Sequence, residues 1–255
     1  MALSREPHVL VVGGSDSSGG AGIARDIETI SAFGLRTCLA VTAVTVQTHE
    51  AVLEIHDLPP GLVADQMRAA LQANKVAAIK IGMLATEQII AAVAAVLVEN
   101  RDIPAVLDPV LASSSGRPLL ETGAIGVMKR NLIPLCRLVT PNLIELAVLA
   151  GSDLAMDEDG ALQQGQELLT AGLRALLIKG GHAAGCRSTD ILLRSGQEPI
   201  RFEAPRLAGS IRGTGCALAS AIAAHLANTR SLEDGVRKGK LFVFEALQQI
   251  RGTMK

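Results

Sequence analysis

Short apolar runs alternate along the chain with stretches in which apolar residues recur every three to four positions. "HVLVVGG" (8–14) is apolar throughout and bounded by glycine, the pattern of a strand covered on both faces. "GGAGIARDIETISAFG" has helical spacing and closes at Gly34. "TCLAVTAVTV" reads as a β-branched strand and "AVLEIHDLP" as a shorter one. The alternation continues with a helix in "GLVADQMRAALQAN", a strand in "AAIKIGML" and a helix in "TEQIIAAVAAVLVEN". A strand in "AVLDPV" then opens into the polar loop "ASSSGRP". "RLVT" predicts a strand leading into the helix "PNLIELAVLAG", with Pro at its start and Gly just past its end. "DEDGALQQGQELLTAG" predicts a helix before the strand "ALLIKGG", and "STDILLRSGQEPIRFEAPRL" an antiparallel hairpin. Two helices, Gly213–Asn228 and Ser231–Ile250, close the chain.

Strands and helices alternating at these lengths predict βαβ units and a mainly parallel sheet. No internal repeat, linker or composition break divides residues 1–255, so the expectation is one domain. In such sheets ligands bind beyond the carboxyl ends of the strands. Polar residues fall there in "GGSD", "QTH", "LDPV", "TPN" and "KGGH".

Composition removes several function classes. The formal net charge is −1, and aromatic residues make up 2%, all Phe. Neither a basic surface for phosphate backbones nor stacking platforms for bases are on offer, which argues against a nucleic-acid partner. The short "RKGK" (237–240) reads as a solvated helix face. Cys38, Cys136, Cys186 and Cys216 are too scattered for a zinc site or a disulfide framework. No apolar run is long enough to span a bilayer and no signal peptide is apparent, so the expectation is a cytoplasmic protein with no membrane partner. The chain lacks a Walker A loop, a G-x-S-x-G elbow and an H-E-x-x-H helix. "GAGIAR" places Arg25 where a dinucleotide fingerprint needs Gly or Ala.

One stretch invites chemistry. In "RGTGCALASAIAAHLA" a Gly-Thr-Gly-Cys turn runs directly into a helix. The first N–H groups of a helix lack internal partners and carry partial positive charge. Gly213 and Gly215 permit close backbone approach and Thr214 adds a hydroxyl, a combination suited to an anion. Cys216 then stands where a helix start lowers a thiol pKa, fitting it to accept a substrate proton. A packing turn with an inert buried thiol fits this stretch equally well. A phosphoryl-transfer site without a P-loop also needs a cation and oxygen ligands for Mg2+. Lys179, Asp108, and Asn142 with Glu145 three residues on supply those types at strand ends.

Seven segments in order, "VVGGSDSSGGAGIARDIETISAFG", "VTAVTVQT", "KIGML", "LDPVLASSSGRPLL", "VTPNLIELAVLAG", "LIKGGH" and "RGTGCALASAIAAHLA", closely resemble the hydroxymethylpyrimidine/phosphomethylpyrimidine kinases of thiamine biosynthesis. The resemblance spans residues 8 to 245 or so and implies an α/β ribokinase-like three-layer sandwich, its mainly parallel central sheet flanked by helices. It implies an ATP- and Mg2+-dependent phosphotransferase acting on 4-amino-5-hydroxymethyl-2-methylpyrimidine and then on its monophosphate, and a homodimer. Carried over residue by residue, the pyrimidine would be bound by Gly14, Asp26, Gln47, Met83 and Val110. Lys179 would contact the transferring phosphate. Asn142 and Glu145 would organise Mg2+ through water, with Asp108 nearby and His182 lining the nucleotide region. Cys216 would be the catalytic residue beside the substrate hydroxymethyl, with Gly213, Thr214 and Gly215 as the anion hole. The glycines Gly19–Gly22 and the loop after Leu111 would close over the substrate.

Two positions depart from the family pattern: Arg212 stands where a His often precedes the turn, and Ser114 where a Lys is common. Two rivals remain. A pyridoxal or pyridoxine kinase of the same superfamily handles a ring of similar size. A catalytically silent pyrimidine-binding regulator would keep Gln47 and Asp26 but need not keep Lys179, Glu145 and the GTGC turn.

Overall fold

The structure, a computed structural model, describes residues 4–180, 186–207, 212–229 and 231–253. Its strands are β1 (Ser4–Asp16), β2 (Arg36–Gln47), β3 (Val52–Asp57), β4 (Asn74–Ile81), β5 (Ala105–Leu107), β6 (Leu138–Val139), β7 (Ala175–Ile178), β8 (Arg187–Arg194) and β9 (Ile200–Pro205). They form one sheet in the order β3-β2-β1-β4-β5-β6-β7-β8-β9. Pairings from β2 through β7 are parallel, and β3, β8 and β9 add antiparallel edges. The helices are α1 (Gly22–Ala32), α2 (Pro60–Ala73), α3 (Glu87–Glu99), α4 (Ala124–Val127), α5 (Leu143–Ala150), α6 (Glu158–Thr170), α7 (Thr214–Thr229) and α8 (Leu232–Thr253).

Strand alternation divides the core into two layers. β1 sends Leu10 and Val12 to one face and Val9 and Val11 to the other, all at 0% exposure. The first face is covered by α2 through α6, and the second by α1, α7 and α8. Burying each such side chain contributes about 1.5–3 kcal/mol. A run of small residues, Ala217, Ala219, Ala221, Ala223 and Ala224, is buried along α7, which lets that helix sit close on β1, β4 and β5. Phe33 and Phe242 meet at 5.3 Å between centroids and tie α1 to α8.

Most expected elements are present. α5 begins with an Asn142–Glu145 capping box rather than at Pro141, and ends at Gly151 with φ 74°. β4 ends at Ile81, so Met83 lies beyond the strand. One helical segment had no signal: Ala124–Val127 continues through a π-helical turn, Met128–Leu132, and a 3-10 turn, Ile133–Leu135. The "RKGK" run is not a wholly solvated face. Lys240 reaches the buried Asp190 at 2.9 Å, and Gly239 faces Ile222 and Leu218 across α7. Among the described residues no helix is long and apolar enough to cross a membrane.

Candidate active site

All the parallel strands deliver their carboxyl ends to one edge, where α7 also begins. Lys179 follows β7 and Asp108 follows β5. Their side chains meet at 2.6 Å, and Glu145 at the start of α5 lies 3.6 Å from the same ammonium. Thr140 Oγ1 stands 3.3 Å from Asp108 Oδ1. The turn before α7 packs onto this cluster: a Cβ on Gly215 would be 3.3 Å from Lys179 Nζ and 3.5 Å from Asp108 Oδ2. Burial alone would push Lys179 down, but Asp108 and then Glu145 outweigh it and hold the ammonium charged above its ordinary value. Burial raises Glu145, against the pull of Lys179.

On the other side of the turn the residues expected at a pyrimidine divide into two groups. A Cβ on Gly14 would stand 3.0 Å from Met83 Sδ, so the missing side chain makes room for the thioether. Met83 clusters with Ala43, Val110 and Ile55 into a small apolar patch separate from the two main cores. Thr42 Oγ1 donates to Met83 O at 2.7 Å and fixes that backbone. Gln47 is half-buried at the end of β2, its Oε1 3.1 Å from Thr45 Oγ1 and its backbone held by Ser17. Gly14, Gln47, Met83 and Val110 therefore sit on adjoining strand ends.

Asp26 departs from its expected place. It is 0% exposed, and its oxygens accept from Lys80 at 2.8 Å and from Ser220 at 2.7 Å. Each oxygen already has one interior donor, and no part of the residue is exposed. Lys80 was not singled out from the sequence. The available signal was a lysine inside the apolar run "AAIKIGM" of a central strand, a position where a charge requires a buried partner.

Cys216 also differs from expectation. Burial dominates and pushes the thiol up to about 11, against the pull of the Lys80 ammonium and of the helix start. Arg212 neither points to solvent nor enters the anion turn. It donates to Asp16 at 3.0 Å, Ser18 at 3.2 Å and the Thr48 carbonyl at 2.7 Å, joining the β1–α1 loop and the end of β2 to the base of α7. The loop after Leu111 is latched as well, through Arg117 to the carbonyls of Val52 and Leu53. Ser114 is exposed at that loop's tip. His182 lies outside the described residues.

The turn depends on a glycine conformation. Gly213 has φ 77°, and a Cβ there would meet the Gly20 carbonyl. Gly213→Ala combines left-handed strain with a backbone clash and should cost about 2–4 kcal/mol. The urea midpoint measures this, and an unchanged midpoint would refute the packing argument.

Comparison with known proteins follows the same arrangement. The phosphomethylpyrimidine kinase profile matches residues 16–254. The chain is 41% identical over 244 residues to the hydroxymethylpyrimidine/phosphomethylpyrimidine kinase of Mycobacterium bovis, covering 95% of this chain and 88% of that one. It is 40% identical to the thiamine biosynthesis bifunctional protein ThiED of Geobacter sulfurreducens, covering 94% of this chain and spanning 49% of that longer protein. The crystal structure of phosphomethylpyrimidine kinase from Clostridium difficile superposes with a TM-score of 0.81 at 32% identity, covering 95% of this chain and 100% of that one. The pyridoxal kinase of Staphylococcus aureus in complex with ADP superposes at 0.86 and 30%, covering 96% of this chain and 89% of that one. These likenesses establish the ribokinase-like fold.

Proposed function

The chain belongs to the phosphomethylpyrimidine kinase family, and from that premise we propose that it transfers the γ-phosphoryl group of ATP to the hydroxymethyl oxygen of 4-amino-5-hydroxymethyl-2-methylpyrimidine, and a second one to the resulting monophosphate. The observation that carries this reading is the meeting of Lys179, Asp108 and Gly215 at the first turn of α7. It puts a fixed ammonium beside the first N–H groups of α7, which have no partner within the helix, the arrangement that stabilises charge on a moving phosphoryl group.

The small apolar patch at Met83 and Val110 would hold the ring, and the Gln47 amide would read its aminopyrimidine edge. In the transfer the substrate oxygen bonds to the γ-phosphorus, the bond to the bridging oxygen of ADP breaks, and the hydroxyl proton passes to the thiolate form of Cys216. Burial keeps that form scarce at neutral pH, so the rate should follow the thiolate fraction. Lys179 and the N–H groups of Gly213, Thr214 and Gly215 would face the phosphoryl oxygens.

The residues present fit a water-mediated Mg2+. Glu145 Oε2 already accepts from the Asn142 N–H at 2.8 Å, and Asn142 Oδ1 from the Glu145 N–H at 2.9 Å. Among the described residues no three His, Cys, Asp or Glu side chains converge as a metal cage. Glu145, Asn142 and Asp108 would hold Mg2+ through water rather than by direct bonds. The ion supplies neutralisation of phosphate charge when bound.

Fold likeness does not separate pyrimidine from pyridoxal, because both kinds of kinase superpose closely. The deciding experiment is product analysis after incubation with Mg-ATP and, in parallel, the hydroxymethylpyrimidine, its monophosphate and pyridoxal. Mono- and diphosphate formation from the pyrimidines is expected. Turnover of pyridoxal alone would move the protein to the other branch, and binding with no turnover would leave a silent regulator. The homodimer implied by the family resemblance is part of the same proposal, tested by sedimentation.

A further inference from the structure

Two helix faces meet in register over the centre of the sheet. Gly22 and Asp26 lie four apart on α1, and Cys216 and Ser220 lie four apart on α7, so each pair shares a face. One turn along α7 from Cys216, Ser220 Oγ donates to Asp26 Oδ1 at 2.7 Å. From beneath, β4 raises Lys80 to Asp26 Oδ2 at 2.8 Å, with neither side chain more than 1% exposed. Lys80 Nζ also lies 2.9 Å from where a Cβ on Gly82 would stand, so the ammonium is confined between Asp26 and the backbone leaving β4.

A buried ion pair is commonly no more stabilising than apolar side chains of the same volume. Ala78, two residues back on the same face of β4, is apolar and fully buried, so packing in that strand gives no reason for a charge at position 80. Ser220, which shares Asp26 with that ammonium, stands one helical turn along α7 from the thiol. We propose that Lys80 is a positioning residue for phosphoryl transfer: its confined ammonium, oriented by Asp26 and Ser220, sets the proton affinity of Cys216. The role in transfer rests on Cys216 being the proton acceptor; the coupling to the thiol does not.

The charges facing Cys216 come from four elements: Lys80 on β4, Asp26 on α1, Asp108 after β5 and Lys179 after β7. Burial is the largest influence and favours the thiol; Lys80 opposes it, while Asp26 and Asp108 reinforce it. Burial alone would likewise discharge Lys80, but Asp26, then Cys216 and Asp108, outweigh it and keep the ammonium charged. Burial pushes Asp26 up, and the Lys80 and Ser220 donors pull against that rise.

The two members of the pair therefore act on the thiol with opposite sign, which a purely structural role does not predict. The test is the alkylation rate of Cys216 by iodoacetamide in the ligand-free protein, followed on its own peptide by mass spectrometry at a fixed pH below the thiol's titration range. Lys80→Met should slow alkylation about tenfold, equivalent to about one pKa unit upward. Asp26→Asn should accelerate it. An unchanged rate in Lys80→Met with circular dichroism intact, or both variants moving in the same direction, overturns the coupling. If Lys80→Met does not fold, Lys80→Met/Asp26→Leu removes both charges together; a smaller slowing is expected, and no slowing overturns the coupling. The acidic limb of kcat/KM against pH should shift with the alkylation rate. If alkylation responds and that limb does not, Cys216 is not the acceptor and Lys80 has no part in transfer, while its hold on the thiol stands.

Discussion

Lys179→Met should lower kcat/KM for the pyrimidine by on the order of 10³-fold, the scale of losing a preorganised cation at a moving phosphoryl group. The loss has two physical sources. The ammonium no longer faces the γ-phosphate. Asp108, 2% exposed, and Glu145, 8% exposed, also lose the cation they flank. Two carboxylates then confront an incoming polyphosphate, and the mutual repulsion weakens nucleotide binding as well as transfer. The defect should therefore appear in both kcat and the KM for ATP, with the pyrimidine KM less affected. Steady-state kinetics with each substrate varied in turn reads this directly. Retention of activity within tenfold would show that the cluster is not the phosphate site. Lys179→Arg is expected to recover little, because a planar guanidinium does not fit the confined space between Asp108 and Gly215.

Cys216→Ala should lower kcat by roughly 10²–10⁴-fold, the range for removing a positioned proton acceptor, with the substrate KM nearly unchanged. Its pH signature is more telling than its size. The thiol is pushed up to about 11, so at neutral pH it is predominantly protonated. Below that value the thiolate fraction grows tenfold per pH unit, and the wild-type rate should rise with pH across the neutral range until another step limits it. The alanine variant has no such group and should lose that slope. A variant that keeps both the wild-type kcat and the slope would remove Cys216 from the chemistry and leave the packing-turn reading of Gly-Thr-Gly-Cys. The contribution of the anion turn persists in either case, because its donors are backbone N–H groups that no side-chain change at position 216 removes.

Local pattern in the sequence was enough for the elements and for one end of the site. Apolar spacing is decided by neighbours a few residues away, so α2, α3 and the β8–β9 hairpin were legible within a residue or two, while β1 begins at Ser4, before its apolar run. A parallel sheet carries all its strand ends to one edge, so Gly14, Gln47, Asp108 and Lys179 were bound to gather once the strands were recognised. The π-helical turn at Met128–Leu132 was not legible, because its apolar spacing matches no regular period. What only the tertiary structure decided involves partners far apart in the chain and the exclusion of water. Asp26 pairs with Lys80 across 54 residues and with Ser220 across 194, which makes it an internal anchor. Arg212 finds Asp16 across 196 residues and becomes a tie between loops. Cys216 shows the difference most plainly: its place at a helix start is written in the sequence and favours the thiolate, but desolvation belongs to the assembled surroundings and outweighs the helix.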